Sequence, residues 1–255
     1  LTGVRPVKLL RRLAEESSEE QAVKKFEKDF FVSNEKIALS RETEHNERKI
    51  LELSKPESFS LYVGIPFWPS RCSYCSFVMA SIERAEKLIE PYTKLLCEEI
   101  KQTAEIANKL GLRLETVYFG GGTPTTLSAE QLDTVLGTVN NSFDMSTCRE
   151  FTVEAGRPDT IDIAKLFALK ENKVDRISIN PQTVNDEVLK TIGRKHTAQQ
   201  FFDAFELARK CGFDNINTDL IAGLPTDTSE SFKNSLDSIV RLNAECITVH
   251  TLCMK

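Results

Sequence analysis

The chain has 255 residues, enough for one large domain or two modest ones. Its 33 Lys and Arg against 38 Asp and Glu give a formal charge of −5, and 40% apolar with 28% charged residues is ordinary for a globular protein. No apolar run approaches the ~18 residues of a membrane helix, the opening LTGVRPVKLL lacks the apolar core of a secretory signal, and an acidic balance without a basic block argues against a nucleic-acid partner.

Residues 1–58 read as a helical segment and linker, with 12 basic against 12 acidic residues. Ser17-x-x-Glu20 has the form of a capping box, and Val23, Phe26 and Phe30 form an apolar stripe behind it. Residues 34–52 are highly charged and predict an exposed helix that ends before the linker 54–58, where Pro56 stops it.

Residues 59–255 change character, with short β-rich runs alternating with amphipathic helices. The predicted strands are 61–67, 116–121, 151–155, 176–182, 215–223 and 246–252. One helix is marked by Ser128-x-x-Gln131 with the stripe Leu132, Val135, Leu136 and Val139. Another is marked by Thr197-x-x-Gln200 with Phe202, Phe205 and Ala208, and it closes at Cys211-Gly212. Such alternation predicts a parallel α/β sheet whose ligands lie at the C-terminal strand ends. Six repeats suggest an open (β/α)6 partial TIM barrel rather than the closed eightfold form. The chain stops just after the sixth strand, so a C-terminal region is expected to be missing.

Seven cysteines are an odd number for a disulfide framework, and without an export signal the expected compartment is the reducing cytoplasm. Cys97, Cys148, Cys211, Cys246 and Cys253 are isolated and read as small buried apolar residues. Cys72 and Cys75 form a Cys-x-x-Cys pair after the first strand. Three readings of that pair compete. Half a zinc site needs further ligands that no second Cys or His pair supplies. A thiol–disulfide motif would sit at a helix N-terminus, with Arg71 as the only near cation. Thiolates on a loop also suit an iron–sulfur site.

The second strand ends in Gly120-Gly121-Gly122-Thr123, where a ligand can approach the backbone and free N–H and C=O groups can bind charge. The loop lacks the terminal Lys-Ser/Thr of a phosphate-binding P-loop. Polar residues close the next three strands: Glu154, Gln182 and Asp219. A buried carboxylate without partners is costly, so three polar residues at successive strand ends point to a polar ligand in the barrel mouth. Arg194 and His196 follow in IGRKHT as further candidates.

In order, LYVGIPFWPSRCSYCSF, YFGGGTPT, VEAGRPDT, RISINPQT, IGRKHT and NTDLIAGLP resemble the radical S-adenosylmethionine (SAM) enzymes. Within them they are most similar to the oxygen-independent coproporphyrinogen III dehydrogenases and their close relatives, over roughly residues 60–255. The resemblance implies a [4Fe–4S] cluster on three cysteines spaced C-x3-C-x2-C, with Cys72 and Cys75 as the second and third. It further implies that Tyr62 lies near cluster and SAM, that Gly121, Gly122 and Thr123 meet the SAM amino group, and that Glu154, Gln182, Arg194 and Asp219 contact SAM. In the dehydrogenases a 5′-deoxyadenosyl radical takes hydrogen from a propionate, which loses CO2 to become a vinyl group in haem biosynthesis.

Trp68 occupies the first cysteine position, and an indole N–H offers iron no lone pair. The expectation is therefore a radical SAM oxidoreductase with a porphyrinogen as small-molecule substrate, impaired in its cluster; the sequence identifies no electron donor. The alternatives are a haem-binding or haem-delivery relative and a cluster-free SAM-binding module.

Overall fold

The computed structural model describes residues 5–77 and 80–252. The first four residues of the opening and Cys253 lie outside the described residues. The chain divides into two compact units, Leu1–Pro56 and Glu57–Lys255.

The first unit holds three helices, α1 (Pro6–Glu16), α2 (Glu19–Lys28) and α3 (Asn34–Leu51). Leu10, Leu13, Ala22, Phe26 and Ile37 form its small core. Val23 and Phe30 pack only partly buried against it, and the Phe26 and Phe30 rings meet edge to face. The expected capping box is displaced by one residue. Because α1 runs on to Glu16, Ser17 becomes its C-cap, and Ser18 caps α2 by accepting from the Gln21 N–H.

The second unit contains β1 (Ser58–Ile65), β2 (Phe67–Trp68), β3 (Ala80–Ser81), α4 (Ile82–Lys109), β4 (Arg113–Gly121), α5 (Ala129–Ser142), β5 (Glu150–Gly156), α6 (Ile163–Glu171) and β6 (Arg176–Ile179). It continues with α7 (Asp186–Thr191), α8 (Ala198–Lys210), β7 (Ile216–Ala222), α9 (Ser229–Val240) and β8 (Cys246–Thr251). Six strands form one all-parallel sheet in the order β1-β4-β5-β6-β7-β8, curled into a half-barrel. β2 and β3 form a separate two-stranded ladder.

Side chains alternate across each strand. One face carries Val63, Phe119, Val153, Ile177 and Leu220 into the core, where they join Leu132, Val135, Leu136 and Val139 of α5 and Phe201, Phe205 and Ala208 of α8. Phe205 and Ala208 are buried as expected, whereas Phe202 is only half-buried and Phe201 lies fully buried beside it. The other face is polar and lines the concave side. Both capping boxes, at Ser128 and Thr197, form as read, and Gly212 takes the left-handed conformation.

Strand ends shift where proline intervenes, because proline cannot donate to a ladder. β1 starts inside the expected linker and stops at Ile65 before Pro66, leaving Phe67 to the separate ladder. β6 stops at Ile179, two residues before Pro181. Gln182 is therefore not a strand residue; it holds a φ of 68° and touches β7 only through an isolated bridge to Leu220. Of the isolated cysteines within the described residues, Cys97 is buried, whereas Cys148, Cys211 and Cys246 are half-buried. No helix of the described residues is long and apolar enough to cross a membrane.

Candidate functional site

The polar face gathers its groups at the C-terminal strand ends. Tyr62 of β1 and Tyr118 of β4 stand opposite each other in register and stack, with centroids 5.9 Å apart and planes 11° from parallel. The Tyr118 hydroxyl donates to Glu154 Oε1. Burial pushes the Glu154 carboxyl above its ordinary value; the bond from Tyr118 works against that rise, and the neighbouring Asp219 charge adds to it. Burial, then the bond to Glu154, also raises the Tyr118 phenol. Asp219 accepts from Asn217 Nδ2 at 2.8 Å and lies 3.8 Å from His250 Nε2. The result is a mouth with two carboxylates beside an aromatic pair of which Tyr62 is largely exposed. That donor set suits a ligand carrying both positive charge and an aromatic ring, as SAM does.

The glycine loop behaves differently from expectation. The Gly122 N–H donates to Ile65 O and the Thr123 N–H to Phe67 O, both at 2.8 Å, so these donors serve the fold rather than a ligand. Carbonyl oxygens are then what the loop can offer an amino group. Gly121 has a φ of 105°, and a Cβ there would meet Ile65 O at 2.9 Å. The Gln182 N–H donates to Asp219 O, which ties those two site residues together through the backbone.

Arg194 links the end of β6 to the cysteine loop, and His196 lies beside Asp159 and the Arg194 charge. Arg194 donates to Asn180 O at 2.9 Å and reaches the Tyr74 hydroxyl at 3.4 Å. Burial above all pushes the Tyr74 phenol up to about 12. His196 is buried, neither ring nitrogen meets a partner in bonding geometry among the described residues, and Asp159 Oδ1 lies 4.0 Å away. Burial, helped by the Arg194 charge, lowers its imidazole to about 3.

Cys72 is buried and Cys75 half-buried, joined in a turn by the Cys75 N–H to Cys72 O bond of 3.0 Å. Trp68 is 8% exposed in β2, with the Arg71 guanidinium 5.7 Å from its ring centroid. Among the described residues no group of three His, Cys, Asp or Glu side chains could hold a metal ion. The residues present therefore do not supply the three-thiolate set of the [4Fe–4S] pattern, and the same finding leaves a zinc site without its ligands. Sequence reading missed Tyr118 and Arg157. Both lie in the motifs YFGGGTPT and VEAGRPDT, but Tyr118 meets Glu154 36 residues on, and Arg157 meets Ser70 87 residues back along the chain.

The description "Radical SAM superfamily" matches residues 63–239. The chain is 40% identical over its whole length to the oxygen-independent coproporphyrinogen-III oxidase-like protein HemZ of Bacillus subtilis, covering 52% of that protein. It is 38% identical to the heme chaperone HemW of Lactococcus lactis over 80% of this chain and 51% of that one. Among solved structures, coproporphyrinogen III oxidase (HemN) from Escherichia coli superimposes with a TM-score of 0.70 at 29% identity, covering 81% of this chain and 47% of that one. The chain thus spans about half the length of the curated relatives it matches. It belongs to the radical SAM superfamily, in its coproporphyrinogen oxidase-like group.

Proposed function

We propose that this chain is the SAM-binding half-barrel of a coproporphyrinogen dehydrogenase-like oxidoreductase of haem biosynthesis, with a porphyrinogen as substrate, whose cluster loop assembles a complete [4Fe–4S] cluster poorly. The convergence of Tyr62, Tyr118, Glu154 and Asp219 at one strand-end mouth carries this reading. Glu154 and Asp219 would hold the positive charge of SAM and the exposed Tyr62 ring its adenine, while Gly121 and Gly122 would offer carbonyls to its amino group. Bound there, SAM supplies the 5′-deoxyadenosyl group on which this superfamily's chemistry depends. Tryptophan at position 68 leaves two thiolates where three are needed, which supports the impaired cluster.

Binding of haem for delivery is the second reading. It is favoured by the relatives named heme chaperones. Parallel titrations of the full chain with SAM and with haem, by calorimetry and absorbance, separate the two. SAM binding without tight haem binding supports the oxidoreductase reading. Tight haem binding without SAM binding reverses the order, and binding of neither sinks both.

A further inference from the structure

Arg157 follows β5 directly, three residues after Glu154, and is only 4% exposed. A guanidinium enclosed to that degree must meet acceptors in its fork geometry. Nη1 donates to Ser70 O at 3.1 Å and lies 3.7 Å from Cys72 Sγ. Nη2 donates to Ser70 Oγ at 2.8 Å, and Nε donates to Asp159 Oδ1 at 3.2 Å. The cysteine loop is also fastened on its other side: Ser70 Oγ donates to Gly193 O at 3.1 Å and the Ser73 N–H to Ile192 O at 3.0 Å. Gly193 packs so closely that a Cβ there would stand 3.0 Å from Arg71 O.

We propose that Arg157 is a positioning residue that fixes the Cys72 thiol and the rest of the cysteine loop against the strand end carrying Glu154. One planar side chain reaches the loop backbone, the Ser70 hydroxyl and the thiol together. The two halves of the site, sulfur loop and carboxylate mouth, are thereby held at a set separation. Lysine keeps the charge but cannot reproduce the fork.

Hydrogen–deuterium exchange of the full chain tests this in Arg157→Gln, Arg157→Lys and Ser70→Ala. The reporting amides are Ser73 and Cys75, within the segment 69–77. The expected result is exchange faster by about tenfold or more in Arg157→Gln, with smaller increases in the other two and no change in β4 or β5. Maleimide labelling of Cys72 against buried Cys97 gives a second readout. Because lysine preserves the charge, faster Cys72 labelling in Arg157→Lys reports position. Unchanged exchange and labelling in the loop overturn the inference. So does acceleration spread equally over β4 and β5 in both Ser70→Ala and Arg157→Gln. Absence of SAM binding to the unaltered chain would sink the proposed function yet leave this inference standing, so the two fail separately.

Discussion

Glu154 sits between opposed influences: burial and the Asp219 charge favour its neutral form, and the Tyr118 hydroxyl favours the ionised one. Only the ionised form can hold a cation. SAM affinity should therefore fall as pH drops through the raised Glu154 value, and Tyr118→Phe should move that fall to higher pH. Calorimetric titration across pH checks the sign, and an identical profile in the variant would refute it. Glu154→Ala and Asp219→Ala should each weaken SAM binding by ~1.5–3 kcal/mol, the worth of a hydrogen bond to a charged group. Unchanged affinity in both would remove the pocket assignment. His196 makes a stability prediction. Its folded value of about 3 lies below the unfolded one, so its contribution is present above about pH 6.5 and is lost as pH falls toward 3. Across that window it should steepen the acid loss of stability by up to about 1.4 kcal/mol per pH unit. His196→Phe should flatten the difference in denaturant unfolding between pH 7 and pH 4, and a parallel pH dependence would contradict the assignment.

At the scale of elements, the site is made by where strands stop. The glycine end of β4 lies against Ile65, where neither the space nor the φ of 105° admits a side chain. Gly121→Ala should cost roughly 1–3 kcal/mol in urea unfolding and weaken SAM binding as well, since it displaces the β1 and β4 ends together. A neutral result would show that the loop relaxes freely. These ends were partly legible. The capping boxes at Ser128 and Thr197 could be read because a cap is a bond between residues three apart, written locally. Glu154 and Asp219 could be read because a carboxylate in an apolar run demands an explanation. Gln182 is expected at the end of its strand because the β-rich run RISI leads into it, but Pro181 lacks the donor that the ladder requires and β6 stops at Ile179. Tyr118 and Arg157 were not legible as site residues, since each looks like ordinary strand or loop sequence until the fold brings its distant partner. The free N–H groups expected of Gly122 and Thr123 were misjudged for the same reason, being taken by carbonyls more than fifty residues earlier.

Across the whole molecule, the proposed function joins a strand-end mouth of Tyr62, Tyr118, Glu154 and Asp219 to a loop that carries two cysteines, Cys72 and Cys75. The apolar face of the sheet and its covering helices form a continuous core without residues of the cysteine loop, whose Tyr74 packs instead against a smaller cluster with Val188, Leu189 and Ile221. Trp68 lies in the short β2–β3 ladder with its indole buried, at a position where a cysteine would complete the spacing with Cys72 and Cys75. The most direct test of this account is iron and sulfide content, with electron paramagnetic resonance, after anaerobic reconstitution of the chain beside Trp68→Cys. The account predicts about four irons per chain and a SAM-perturbed signal from reduced cluster in the variant alone. Four irons and the same signal in the unaltered chain would contradict it.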